Sequence, residues 1–279
     1  MEPISVRPAA SSAWRYARAA VDAWRGETIR MDGRLALRVP GPRAIRLAVV
    51  GGNLRIHRLL DAVVAEGATV VDVGANVGYN TLYAACLAGP RGRVIAVEPA
   101  PDNVAVLERN VAAAALSNVV VAAVAAGRAH GAADLYLRGD TSAVNSLFPE
   151  SCYAKVTDVL RVPVAPLDDL VDGRADVVKI DVEGAELDVL DGMARLARNP
   201  RLALIVEWHP VLQSMAGHAA DALPRRLLER GWQLHAASHL SVRPLASADL
   251  PRLTDRLTRA SRPVELLARR AARRVEFSP

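Results

Sequence analysis

One turn limits what this chain can fold into more than any other feature. Thr69 to Val73 is apolar and β-branched apart from Asp72, and it runs into Gly74-Ala75-Asn76-Val77-Gly78 and then a helical pattern over Tyr79 to Leu87. Glycines there permit a tight reversal, and the helix start presents free N–H groups. A strand entering a Gly-rich turn that opens a helix belongs to the βαβ units of parallel sheets.

The following sequence keeps that rhythm. Arg93 to Val97 reads as a strand, Asp102 to Ala115 as a helix and Val119 to Val124 as a third strand; Asp134 to Leu137 is a short extra strand. Ala175 to Ile180 is strand, Ala185 to Ala197 helix, Leu202 to Val206 strand, and Leu223 to Arg230 a helix stopped by Gly231. These strands are apolar along their whole length, as expected when helices cover both faces. The expected class is therefore α/β, a doubly wound and mostly parallel sheet with ligands at the carboxyl ends of its strands.

Three segments are expected. Residues 1–52 form an N-terminal extension, with a helix around Ala9 to Trp24, a strand-like run from Glu27 to Val39 broken at Asp32-Gly33, and a short strand over Ala44 to Val50. Trp14, Tyr16 and Trp24 give it a packing face or a lid. Residues 53–250 form the main domain, entered through a helix from Leu54 to Ala65. Residues 251–279 form an Arg-rich tail, in which Val264, Leu267, Ala268, Ala271 and Val275 share one helical stripe. A docked terminal helix, dispensable for ligand binding, is expected there.

Charge locates one rival reading. The net charge of +5 resides in the tail, where eight arginines face Asp255, Glu265 and Glu276; residues 1–250 carry 27 basic and 27 acidic side chains. A neutral body with 4% aromatic residues argues against a nucleic-acid binder or an RNA methyltransferase. The longest apolar run, Val119 to Ala126, is far short of the ~20 residues of a membrane span. The N-terminus shows no apolar signal core, and Cys86 and Cys152 read as reduced thiols, so a cytoplasmic protein is expected. His57, His130, His218, His235 and His239 stand in no ligand spacing and read as surface or loop histidines.

The Gly turn points to a nucleotide. Twenty residues after Gly78 the next strand ends in Glu98, placed to accept hydrogen bonds from ribose hydroxyls. The dinucleotide pattern G-x-G-x-x-G fits badly, since Asn76 and Tyr79 occupy its second and third glycines. Acids such as Asp72 and Asp181 suit an ammonium or a sulfonium and would repel a pyrophosphate.

Val70-Val71-Asp72-Val73-Gly74-Ala75-Asn76-Val77-Gly78-Tyr79-Asn80-Thr81 closely resembles the opening motif of FkbM-type methyltransferases. So do Val97-Glu98-Pro99-Ala100-Pro101-Asp102-Asn103 with Asn110, Lys179-Ile180-Asp181-Val182-Glu183-Gly184-Ala185-Glu186, and Ile205-Val206-Glu207-Trp208-His209-Pro210. Asn145-Ser146-Leu147 and Leu167-Asp168-Asp169-Leu170 match more weakly. The resemblance covers roughly residues 55–235 and implies a Rossmann-like class I methyltransferase using S-adenosyl-L-methionine. It places Asp72, Gly74, Ala75, Asn76, Gly78, Tyr79, Asn80, Thr81, Glu98, Pro99, Asn103 and Asp181 at the donor. The implied reaction is O-methylation of a small-molecule hydroxyl, on a sugar, a polyketide or another secondary metabolite. Methylation of an amine is the alternative. Around Ala125 to Gly127 there is no acid to hold an adenine amino group.

Asp181 and Glu183 follow one strand, and Glu207 and His209 end the next; each pair points one way if the extended chain persists. Methyl transfer to oxygen requires removal of the hydroxyl proton, and a neutral His209 oriented by Glu207 or Asp181 is the expected base. Asp181, Glu207 and His209 would also suit Mg²⁺, though no metal ligand is assigned. Lys179 is expected in a buried ion pair. The expected partners are a small-molecule substrate, no nucleic acid and no membrane, and a homodimer is compatible.

Overall fold

The structure is a computed structural model that describes residues 28–31, 35–38, 53, 55–138, 145–149, 155–237 and 241–270. β1 (Thr28–Met31) and β2 (Leu35–Arg38) pair antiparallel. The expected elements at Ala9 to Trp24 and Ala44 to Val50, with Trp14, Tyr16 and Trp24, lie outside the described residues, as do Cys152 and His239. A helix, α1, spans residues 55–63.

From Thr69 onward the chain builds one eight-stranded sheet. Its parallel strands are β3 (Thr69–Val73), β4 (Arg93–Val97), β5 (Val119–Ala122), β9 (Val177–Ile180) and β10 (Ala203–Trp208). With β11 (Trp232–Ala237), β12 (Val242–Leu245) and β13 (Val264–Arg270), the spatial order is β12-β11-β13-β10-β9-β3-β4-β5. The chain runs outward from β3 to β5 and then returns to lay β9 against the other side of β3, so the order reverses between β9 and β3. That reversal opens the crevice in which doubly wound sheets bind ligands. Helices α2 (Tyr79–Ala88) and α3 (Pro101–Ala113) follow β3 and β4. α4 (Leu167–Leu170), α5 (Glu186–Asp191), α6 (Pro210–Met215) and α7 (Ala222–Glu229) come later.

Side-chain alternation divides the core by face. Along β10, Ala203 and Ile205 join the cluster under α1 and α2, while Leu204, Val206 and Trp208 join the cluster under α5 and α7. A smaller three-stranded sheet, β6 (Ala125–Ala126), β8 (Val156–Ala165) and β7 (Gly131–Arg138), lies beside the crevice. The expected Asp134 to Leu137 strand is thus part of a longer hairpin with β8, which the sequence reading lacked.

The tail differs most from expectation. α8 (Leu250–Ala260) is a helix, but Val264–Arg270 is a strand, β13, inserted antiparallel between β10 and β11 (Trp232–Ala237). Leu266, Leu267 and Ala268 are 0% exposed. The apolar residues therefore alternate across both faces of a central strand and do not form a helical stripe. β12 (Val242–Leu245) closes the sheet edge beside β11. Residues 271–279, with Ala271 and Val275, lie outside the described residues.

Candidate active site

The β3–α2 turn is shaped by what it touches. Gly74 has φ +74, and a Cβ there would sit 1.9 Å from the carbonyl oxygen of Asp181, so only glycine lets the turn pass the end of β9. The Gly74 and Ala75 amides donate to the Val97 carbonyl at 3.0 and 3.1 Å. Asn76 adopts φ 50 and donates its amide to Glu98 Oε2 at 2.9 Å. Asn110 Nδ2 fixes the far side of the turn through the Val77 carbonyl at 2.7 Å.

Glu98 is 4% exposed and ties three segments together. Besides Asn76, it accepts from the Ala100 amide and from Asn103 Nδ2, both at 3.0 Å. Burial pushes its pKa up, and those three hydrogen bonds oppose the rise. The turn, Glu98 and Pro99 line one cavity with Val97, Val124, Ala125, Ala126 and Leu135. No acid stands at Ala125 to Gly127, and the wall there is apolar.

Of the donor residues expected from sequence, Gly74, Ala75, Asn76, Tyr79, Asn80, Glu98, Pro99 and Asp181 line this cavity. Asp72, Gly78, Thr81 and Asn103 do not, and act one layer behind it. Gly78 starts α2 in the left-handed region, at φ 96. Asp72 accepts from Thr81 Oγ1 at 2.6 Å and pairs with Lys179 Nζ at 3.2 Å, beneath the turn. Lys179 also lies 3.6 Å from Asp181 Oδ2 and donates to the Gly74 carbonyl at 3.1 Å. Burial alone would lower the lysine's pKa, but the carboxylates of Asp72 and Asp181 outweigh it and hold the ammonium above its ordinary value.

Asp181, Glu183 and Glu207 converge, each with a carboxylate oxygen within 4.8 Å of the others. Glu183 reaches this place because the chain does not stay extended after β9. It takes φ 55, and Ser146 Oγ donates to its carbonyl at 2.7 Å. Burial, reinforced by the neighbouring carboxylates, raises Glu183 and Glu207 well above the usual range. Glu186 braces the loop by accepting from the Gly184 amide at 3.0 Å and from Gln213 Nε2 at 2.7 Å.

His209 is not part of that trio, contrary to the expectation that Glu207 or Asp181 orients it. It forms the N-cap of α6, is 6% exposed, and does not line the cavity. β10 ends at Trp208, so the extended alternation that would aim His209 beside Glu207 stops there. Burial lowers its pKa. The triad of Asp181, Glu207 and His209 considered for Mg²⁺ is accordingly replaced by an all-carboxylate group. Two other histidines are also buried: His57 is stacked on Tyr83 at 3.8 Å between ring centroids, and His235 is 5% exposed.

Sequence reasoning missed Asn53, which lines the cavity from the start of the N-terminal helix, and gave Ser146 no role. Gly51-Gly52 just before Asn53 was the available signal, since paired glycines mark a loop ahead of the helical pattern. Among the described residues no helix is long and apolar enough to cross a membrane.

Residues 72–234 match the family described as Methyltransferase FkbM domain. Hexuronic acid methyltransferase AglP of Haloferax volcanii is 29% identical over 168 residues, 59% of this chain and 65% of that protein. Methyltransferase 1 of Beauveria bassiana is 31% identical over 144 residues, 44% of this chain and 57% of that protein. The matches thus span less than two thirds of these curated relatives. A solved structure, Methyltransferase FkbM from Methylobacillus flagellatus KT, superposes with a TM-score of 0.46 at 16% identity, over 92% of this chain and 59% of that one.

Proposed function

The chain belongs to the FkbM methyltransferase family, and on that premise we propose that it moves a methyl group from S-adenosyl-L-methionine to a hydroxyl of a small-molecule acceptor. The residues present suit that donor. Glu98 keeps an acceptor site on Oε2 for ribose hydroxyls. The apolar wall from Val124 to Ala126 suits a flat purine. Acids at the opposite end suit positive charge. When bound, the donor supplies an electrophilic methyl group on its sulfonium.

The observation that carries the reading is the convergence of Asp181, Glu183 and Glu207 at the end of the cavity remote from Glu98. Two of the three have pKa values raised by burial and mutual repulsion, which makes them better proton acceptors than ordinary carboxylates. In the proposed mechanism Asp181, which lines the cavity, orients the acceptor hydroxyl. The hydroxyl proton passes to Glu207, whose carboxylate lies beside that of Asp181. The Gly turn and Lys179 hold the cavity floor rigid, so that alignment supplies much of the acceleration. His209 caps the start of α6 and is given no part in the proton transfer.

The test is product analysis after incubation with isotopically labelled donor and hydroxylated acceptors. One relative is named for hexuronic acid, so acidic sugars head the panel, followed by polyketide alcohols. A label on oxygen, abolished in Asp181→Asn, supports the proposal. A label on nitrogen favours the amine alternative, and no transfer to any acceptor with no donor binding overturns both.

A further inference from the structure

The carboxyl edge of the sheet continues past the acids to a second concavity. β11 lies two strands beyond β10, about 10 Å along that edge. Ala237 ends β11 there and Val264 begins β13, opposite Trp208, the neighbour of Glu207. Both residues line an open groove of about 740 Å³ between β12 and α8, with Leu245 and Leu253 in its floor.

Three arginines converge on this groove. Arg243 comes from β12, and Arg252 and Arg256 come from α8, four residues apart and so on one side of the helix. All three are exposed, and among the described residues none has an ion pair or a hydrogen bond. Arg259 on the same helix differs, since it pairs with Asp255 at 2.9 Å outside the groove. The acid in the groove, Asp249, turns its Oδ2 to the Ala246 amide at 3.2 Å. The groove is therefore strongly positive, and an anion that enters relieves the repulsion between its guanidinium groups. Forked guanidinium donors match phosphate oxygens, and three of them on two walls suit a diphosphate better than a single phosphate. The concave shape favours a compact soluble group over a flat bilayer or a long polyanion.

We propose that this groove binds the diphosphate group of the acceptor, which is then a hydroxylated compound carried on a diphosphate. Glu207 alternates with Ile205 onto the α1 face, and Arg243 with Leu245 onto the α8 face. Such an acceptor crosses the sheet edge at Val264 and presents its hydroxyl to Asp181 and Glu207. This rests on the methyl-transfer reading above.

The experiment is calorimetry with pyrophosphate at low salt, on the S-adenosylhomocysteine complex and on the protein alone. Pyrophosphate should bind in both cases. Arg243→Gln, Arg252→Gln and Arg256→Gln should each weaken it about 10-fold, with S-adenosylhomocysteine affinity and melting temperature unchanged. No pyrophosphate binding, or binding that these variants leave unchanged, overturns the proposal. Labelled-donor assays then compare glucuronic acid with uridine diphosphate glucuronic acid, and other hydroxylated acceptors with and without a diphosphate. Label should appear on the diphosphate form, and Arg252→Gln should raise its KM about 10-fold with a much smaller change in kcat. Equal kcat/KM for the bare and the diphosphate-linked acceptor overturns the proposal. So do phosphatidylglycerol vesicles or single-stranded RNA held more tightly than pyrophosphate through the same arginines. Wild-type protein that binds pyrophosphate but not S-adenosylhomocysteine overturns the methyl-transfer reading itself, and this acceptor assignment with it.

Discussion

Lys179 is 2% exposed and serves two carboxylates at once, Asp72 below the turn and Asp181 at the cavity. Lys179→Met should destabilise the protein by about 3–5 kcal/mol, because Asp72 is left buried without a counter-charge. Adding Asp72→Asn should recover much of that loss in denaturant titrations; a double variant as unstable as the single one would contradict the account. Glu186 gives a pH prediction. Burial pushes its pKa up to about 7, despite the amide hydrogen bonds it accepts. An acid raised above its unfolded value of about 4.3 keeps its proton in the folded state while the unfolded chain has lost it. Stability from this group is therefore fully present below about pH 4 and lost as pH rises to about 7, a change of about 4 kcal/mol. Glu186→Gln should flatten that slope in urea melts, with the Gln213 amide turned over to offer Oε1, which is buried and unpartnered here. An identical slope in both proteins would place the titration elsewhere.

Among the elements, β13 has the largest consequence. It pairs with β10 on one side and β11 on the other, so removing it splits the sheet and exposes the apolar rows on both faces. Deleting residues 251–279, expected from sequence to spare the donor site, should instead abolish cooperative folding and all ligand binding. Leu267→Ala tests the point more gently and should cost about 2–5 kcal/mol by opening a cavity in a fully buried position. A truncated protein with a native circular-dichroism spectrum and intact S-adenosylhomocysteine binding would refute this. The β3–α2 turn is the second decisive element. Gly74→Ala puts a methyl group into the Asp181 carbonyl and strains a positive φ, so it should displace β9 from the turn and remove donor binding.

At the scale of the molecule, the two large apolar clusters lie on opposite faces of one sheet, and the cavity is cut into its carboxyl edge. Ligand binding should therefore stabilise the whole unit. Saturating S-adenosylhomocysteine, at about 100 times its Kd, should add about 2.7 kcal/mol and raise one shared melting transition. Two separate transitions, only one of them shifted, would show that the sheet is not a single cooperative body. Much of this architecture was legible in the sequence. The βαβ rhythm, the Gly turn, Glu98 at its distance and the acids at the ends of β9 and β10 follow from periodicity and turn chemistry, which act over a few residues. The remainder depended on contacts between distant positions. Arg55 and Glu265 are 210 residues apart, yet their pair ties α1 to β13, two residues after Asn53, which lines the cavity. Val264, Leu267 and Ala268 read locally as part of a helical stripe because they recur at helical spacing; the place between β10 and β11, which they fill together with Leu266, makes the segment a strand. Glu183 reaches Asp181 and Glu207 because the chain turns through a left-handed residue, and His209 leaves them because β10 ends at Trp208. Local chemistry determined which elements form and which end of the sheet binds. Long-range packing alone decided which charged side chains share the cavity, because burying a charge depends on the partners that the whole fold brings to it.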